Sequence, residues 1–168
     1  MKDLTKEEME ELFLAHARAE FELGPEGTME TVAAEPRWEI PGLGLALVGR
    51  TAVEELYRRT LPCFQLRNHE VKQRSLAVGR NLIVIEASGT FNNRAGERVT
   101  GVYALFMEFD PKTKKIVSER VYGDTVLAQM QAEDLGEDIS TFPGVCPIAV
   151  GIPTPSLTDG EQILSVGE

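Results

Sequence analysis

Asp124 closes the stretch Glu119-Arg120-Val121-Tyr122-Gly123-Asp124, where an alternating strand runs out into a glycine and a carboxylate. A carboxylate at the end of a sheet can remove a proton from carbon when burial moves its pKa toward neutrality. It can equally cap the helix that Thr125, Val126 and Leu127 begin, by accepting from backbone N–H groups of the first turn. His16 and Glu20 form a second candidate pair, one helical turn apart on the face that carries Met9, Leu12, Phe13, Ala19 and Leu23. Polar groups on an apolar face either pair with each other at its margin or face a cavity. Glu86 stands between Ile85 and Ala87 in the most apolar strand. It either faces a polar cavity or pairs with a basic neighbour such as Arg74 across the sheet. Tyr57 has an apolar body and a hydroxyl that needs a partner when buried. Trp38, the single tryptophan, either fills the core or walls a ligand site. Tyr103 and Tyr122, in the two strands that lead to Asp124, complete the candidate substrate contacts. His69 reads as an exposed residue at the start of a polar strand.

The elements that must position these residues follow from pattern. Thr5-Lys6-Glu7-Glu8 is a capping box, so a helix runs from there to about Leu23, where Gly24 and Pro25 end it. A short helix is expected over 26–33 and a short strand over 37–40. A second capping box, Thr51 to Glu54, opens a helix that turns Val53, Leu56 and Tyr57 inward and bends or ends at Pro62. Four strands follow, over 69–78, 82–91, 99–109 and 116–123, joined by turns at Gly79-Arg80-Asn81, 92–96 and 110–115. Asp124 then opens a short final helix. Helices preceding a run of antiparallel strands indicate an α+β domain, in which two or three helices covering one face of a curved antiparallel sheet leave a cone-shaped pocket. The domain is expected over 1–135. The Pro- and Gly-rich stretch 136–168 is too apolar to stay solvated, so it is expected to pack on the domain or on a partner subunit.

Composition bounds the partners. The 168 residues suffice for one domain with a real core, and 42% of them are hydrophobic, ordinary for a globular protein. A net charge of −10 argues against a nucleic-acid partner, which needs a basic face. No apolar run reaches the length of a membrane span and no secretory signal is read, so a cytoplasmic protein is expected. Cys63 and Cys146 lack metal-ligand spacing and are expected to be reduced.

Several local patterns resemble the nuclear transport factor 2-like superfamily, most closely the SnoaL-like polyketide cyclase and steroid isomerase branch. They are His16-Ala17-Arg18-Ala19-Glu20, Trp38-Glu39-Ile40-Pro41-Gly42, Gly49-Arg50-Thr51-Ala52-Val53 leading to Tyr57, and Glu119 to Asp124 followed by Leu127 and Gln129. The similarity covers about residues 5–133. It implies the cone fold, often as a homodimer, and acid/base chemistry on a small hydrophobic molecule without metal or organic cofactor. It implies that Asp124, matching an aspartate near the end of the last strand, acts as acid/base. Dehydratase and dehydrochlorinase members pair a histidine with an aspartate. Two function classes stand: an isomerase, cyclase or dehydratase, and a non-catalytic ligand-binding or oligomerisation module. An enzyme needs at least two ionisable groups converging in a closed pocket, and a module does not.

Overall fold

In the computed structural model, residues 2–148 are described. The chain runs α1 (Lys6–Glu22), α2 (Gly24–Met29), β1 (Val32–Ile40), β2 (Leu45–Val48), α3 (Arg50–Leu66), β3 (Glu70–Gly79), β4 (Leu82–Asn92), β5 (Arg98–Asp110), β6 (Lys115–Gly123), α4 (Thr125–Leu135) and β7 (Val145–Pro147). One seven-stranded sheet has the order β3-β4-β5-β6-β1-β2-β7. It is mixed rather than purely antiparallel, because β1 lies parallel to β6. The chain closes that pair by passing from β1 through α3 and the whole β3–β5 meander before β6 returns beside it.

The Thr5 capping box forms as expected, with Glu8 N–H donating to the Thr5 hydroxyl at 3.2 Å and Thr5 N–H to the Glu8 carboxylate at 2.9 Å. The Thr51 box does not form. The helix starts earlier, at Arg50, behind Gly49 at φ +86°, and no side chain caps it. Pro62 does not end α3, which continues to Leu66. α2 is shorter than expected, and residues 32 and 33 belong to β1 instead. Arg50 ties this joint down by donating to the carbonyl oxygens of Met29 at 3.0 Å, Val32 at 2.9 Å and Ala33 at 3.1 Å.

Strand β4 alternates strictly, with Ile83, Ile85, Ala87, Gly89 and Phe91 turned inward. Register irregularities between Gln73 and Ser75 and between Glu108 and Phe109 curl the sheet, as an extra residue on one strand bends it. The concave face then meets α1, α3 and α4, and the core lies between. α4 comes so close that a Cβ on Gly123 would sit 2.9 Å from the Leu127 Cβ, so only glycine fits there. The chain does not leave the domain after 135. Ile139 is buried, and β7 pairs antiparallel with β2, Cys146 opposite Ala46. Residues 149–168, the rest of the expected extension, lie outside the described residues.

Candidate active site

Between the concave face and the helices lies an apolar cavity of about 310 Å³. Phe13, Leu56, Leu61, Phe64, Ile85 and Leu105 form much of its wall. Phe21 and Val71, both partly exposed, mark where it meets solvent. Polar residues line it at several positions, Gln73, Gln131 and Asp134 among them, and two polar places bear on chemistry.

The first lies deep. Glu119 belongs to a cross-strand row formed by Ile83, Met107, Glu119, Trp38 and Leu47, otherwise wholly apolar apart from the indole N–H. Opposite it, α1 presents Glu20 and α3 presents Tyr57. All three converge on His16, whose Nε2 lies 3.2 Å from Tyr57 Oη, 3.5 Å from a Glu20 oxygen and 3.8 Å from Glu119 Oε2. His16 is 1% exposed and does not line the cavity; Glu20, Tyr57 and Glu119 stand between it and the open space. The sequence expectation that His16 and Glu20 share a buried face is met, but only Glu20 reaches the cavity. His16 is one layer too deep to touch a ligand.

Charge is distributed unequally in this cluster. Burial, reinforced by the Glu20 carboxylate and only partly offset by His16, pushes Glu119 up to about 8. At neutral pH Glu119 is therefore mostly a neutral acid. Burial pulls the His16 imidazolium down, but Glu20 and Glu119 outweigh it and the net shift is upward. Tyr57 and Tyr103 are raised by burial and then by the two carboxyl groups, so both remain hydrogen-bond donors. Two buried polar atoms here have no hydrogen-bond partner among the described residues, Glu119 Oε2 and the Trp38 indole Nε1. Such atoms cost free energy unless a ligand or water meets them.

The second polar place is His69. It is not an exposed strand-start residue. Its ring is held edge-on between Phe64, with centroids 5.0 Å apart, and Phe91, at 5.5 Å. It packs over Gly89, where a Cβ would come within 2.6 Å of Nε2. Both ring nitrogens are buried without a partner among the described residues, and the ring lines the cavity. Burial, with Arg98 and Arg67 nearby, lowers its pKa, so it presents a neutral imidazole. Gly89 pairs with Gly101, six residues along β5 from Met107, so the two polar places sit over rows about 20 Å apart along the strand.

Trp38, Tyr57, Tyr103 and Glu20 thus line the cavity. Besides His16, three other expected residues do not. Glu86 turns to the outer face, where it pairs with Arg74 at 3.0 Å and accepts from Ser75 at 3.2 Å. Tyr122 also points outward, 47% exposed, with its ring on Phe106. Asp124 caps α4: Oδ1 accepts from Leu127 N–H at 3.0 Å and Oδ2 from Val102 N–H at 2.9 Å. Both oxygens are held by backbone and neither reaches the cavity, so Asp124 is a poor proton acceptor for anything bound there. Its replacement by asparagine should not be silent for stability, because the amide NH₂ would face a second donor at Val102. Asp124→Asn should cost about 1–2 kcal/mol and Asp124→Ala more, a loss of several degrees in Tm for a domain of this size. Thermal melts of the two variants check this, and an unchanged Tm for Asp124→Asn contradicts the assigned bonds.

Glu119 and His69 were not singled out from sequence. Glu119 has Val117 and Val121 as its i±2 neighbours, the sign of a carboxyl on an apolar strand face. Nothing local marks His69, whose burial depends on a glycine in another strand. Among the described residues, no group of three or more His, Cys, Asp or Glu side chains is placed to hold a metal ion. No helix among them is long and apolar enough to cross a membrane.

No protein-family model matches the chain, and no curated protein matches it. Solved structures match its fold. The epoxide hydrolase/cyclase-like enzyme SalBIII, described in pyran ring formation in the polyether salinomycin, is 16% identical with a TM-score of 0.60, covering 72% of this chain and 94% of its own. An NTF2-like protein of unknown function from Cytophaga hutchinsonii is 17% identical with a TM-score of 0.56, covering 69% and 99%. A protein with a ketosteroid isomerase-like fold from Catenulispora acidiphila, in complex with trimethylamine, is 16% identical with a TM-score of 0.57, covering 73% and 92%. At these identities the likeness establishes the fold.

Proposed function

We propose that this chain, which has the nuclear transport factor 2-like fold, is an acid/base enzyme acting on a small hydrophobic carbonyl compound. One observation carries the reading. Two carboxyl groups from opposite walls, Glu20 and Glu119, meet at one imidazole nitrogen at the floor of an apolar cavity. Neighbouring titratable groups whose environments push them toward different protonation states divide the roles of acid and base. Glu20, the more open carboxylate, removes a proton from the carbon next to the carbonyl. Glu119, neutral at pH 7, donates to the carbonyl oxygen, and the Tyr57 and Tyr103 hydroxyls and the Trp38 N–H supply further donors where negative charge develops. The apolar wall excludes water, which strengthens each of these interactions. Keto–enol isomerisation, aldol-type cyclisation and loss of water from a β-hydroxy carbonyl compound share such a step. The solved neighbour SalBIII, named as cyclase-like, supports this family of reactions as the place to search.

The test is proton exchange. A panel of apolar ketones in D₂O should include compounds that gain deuterium at the α-carbon with the wild-type protein, followed by NMR. Glu20→Gln should slow that exchange by about 10²-fold or more, the usual contribution of a positioned base. If no ketone exchanges, or if Glu20→Gln exchanges at the wild-type rate, the acid/base reading is wrong. A second reading is a non-catalytic binder, favoured by His69 and Trp38, whose unpartnered nitrogens would serve a ligand without any chemistry. Binding of panel compounds without exchange identifies that case.

A further inference from the structure

His16 makes one further contact, away from the cavity. Its Nδ1 lies 2.6 Å from the hydroxyl oxygen of Thr31, in the link between α2 and β1. The Thr31 hydroxyl donates its own proton to the Thr28 carbonyl at 2.7 Å. A hydroxyl has one proton to give. With that proton committed to Thr28, Thr31 can only accept from His16, so Nδ1 carries a hydrogen in both charge states of the ring. Nε2 is left as the nitrogen that gains and loses a proton. The titratable groups facing Nε2 are Glu20 from α1, Tyr57 from α3 and Glu119 from β6, with Tyr103 of β5 within the field of the two carboxyl groups.

The geometry points to a buried proton relay, Glu20–His16 Nε2–Glu119, in which Thr31 is the positioning residue that holds His16 as the Nδ1–H tautomer. The relay rests on the acid/base reading above; the tautomer lock does not. After one reaction Glu20 holds the proton taken from the substrate carbon, and Glu119 has given its own to the substrate. The Glu119 carboxylate then takes the Nε2 proton of the imidazolium, and the neutral Nε2 takes the proton from Glu20. Each proton moves one place, the cluster returns to its starting charge, and no water enters. A ring held in the other tautomer would carry its exchangeable site toward Thr31, and the two carboxyl groups would lose their connection. His16 and Thr31 touch no substrate in this scheme.

Long-range ¹H–¹⁵N NMR of the imidazole reads the tautomer directly, in the full chain without any ligand. Wild-type His16 should show Nδ1 protonated throughout, with only Nε2 titrating. Thr31→Val, nearly the same shape but without an acceptor, should show the Nε2–H tautomer at neutral charge, and Thr31→Ser should restore the wild-type signature. Melting curves establish that both variants fold, and Thr31→Ser keeps the test informative should Thr31→Val unfold. In Glu20→Gln the His16 midpoint should fall by about a unit, as expected when an opposite charge at this range is removed. A wild-type ring protonated at Nε2 alone, an unchanged signature in Thr31→Val, or a His16 midpoint indifferent to Glu20→Gln would overturn the proposal. Failure of α-carbon exchange is read on the ketone and bears on the functional reading. Failure of the lock is read on the imidazole, so the two are distinguishable.

Discussion

Glu119→Gln should melt higher than the wild-type protein above pH 8 and at the same temperature near pH 4.5. Glutamine keeps the shape and a hydrogen-bond donor of the neutral acid but cannot ionise. In the wild-type fold Glu119 holds its proton up to about 8, against an ordinary value of 4.5, because burial penalises the charged form and Glu20 adds to the penalty. A folded pKa raised above the unfolded one means that the folded state binds the extra proton between those values. The stability that Glu119 contributes is complete below the ordinary value and is lost as pH rises through the window to about 8. The limiting slope is about 1.4 kcal/mol per pH unit. The folded value of about 8 already includes the offset from the His16 imidazolium, so the difference should be on the order of 4–5 kcal/mol, roughly 10–15 °C in Tm. Melting both proteins from pH 4 to 9 decides the matter. Parallel curves across that range would show that Glu119 does not titrate in this window. The same variant should slow α-carbon exchange by about 10²-fold, since an amide has no proton to transfer.

Arg67→Met should lower stability by about 3 kcal/mol at pH 8, and by less at pH 4. Arg67 ends α3 and reaches α4, donating to Asp134 at 2.6 Å and Glu133 at 2.9 Å, and to the Asn92 carbonyl at 3.3 Å. The pair is covered, with side-chain exposures of 11% for Arg67 and 4% for Asp134. Removing one partner leaves the other charge buried without compensation, which costs far more than the net worth of the pair. Burial already raises Asp134 despite the opposing pull of Arg67. Without Arg67 it should rise further, so the folded variant takes up a proton that the unfolded chain does not. The deficit therefore grows as pH increases and shrinks where Asp134 is protonated in both states. Denaturant titrations at the two pH values measure it; an equal deficit at both would place the cost in lost packing rather than in an orphaned charge. Asp134 also lines the cavity, so a ligand that binds wild type should bind Arg67→Met more weakly.

Much of the site's support was legible in the sequence. The Thr5 capping box and the 3.6-residue spacing of Met9, Phe13, His16 and Glu20 put a histidine and a glutamate on the inner face of α1, because one helix decides its own phase. The four strands of the β3–β6 meander and the turns that join them are equally local. Tyr57 on α3 follows from the same spacing, although the start of that helix moved to Arg50. Where one element's own period sets the outcome, the residues suffice.

Strand faces were a different matter. Glu86 drew notice because its chain neighbours are apolar, yet chain neighbours in a strand point to the opposite face. The relevant neighbours are i±2, Val84 and Ser88, and Glu86 lies outside. Glu119 meets the same criterion in the other sense, but its phase follows the irregularity opposite Glu108 and Phe109, which puts Ile116 and Glu119 on one side. That shift is a property of two paired strands. The hydrogen bonding of Asp124 depends on Val102, whose N–H occupies the second carboxylate oxygen from another strand. His69 is buried by Phe64, Phe91 and the missing side chain of Gly89. The tautomer of His16 depends on a threonine fifteen residues away donating elsewhere. The amino-acid sequence by itself determined the helices α1, α3 and α4, the four meander strands, and which side chains the helix periods turn inward. Only the tertiary structure decided which of those side chains meet, because a carboxyl group becomes an acid, a base or a cap according to what other strands and helices place against it.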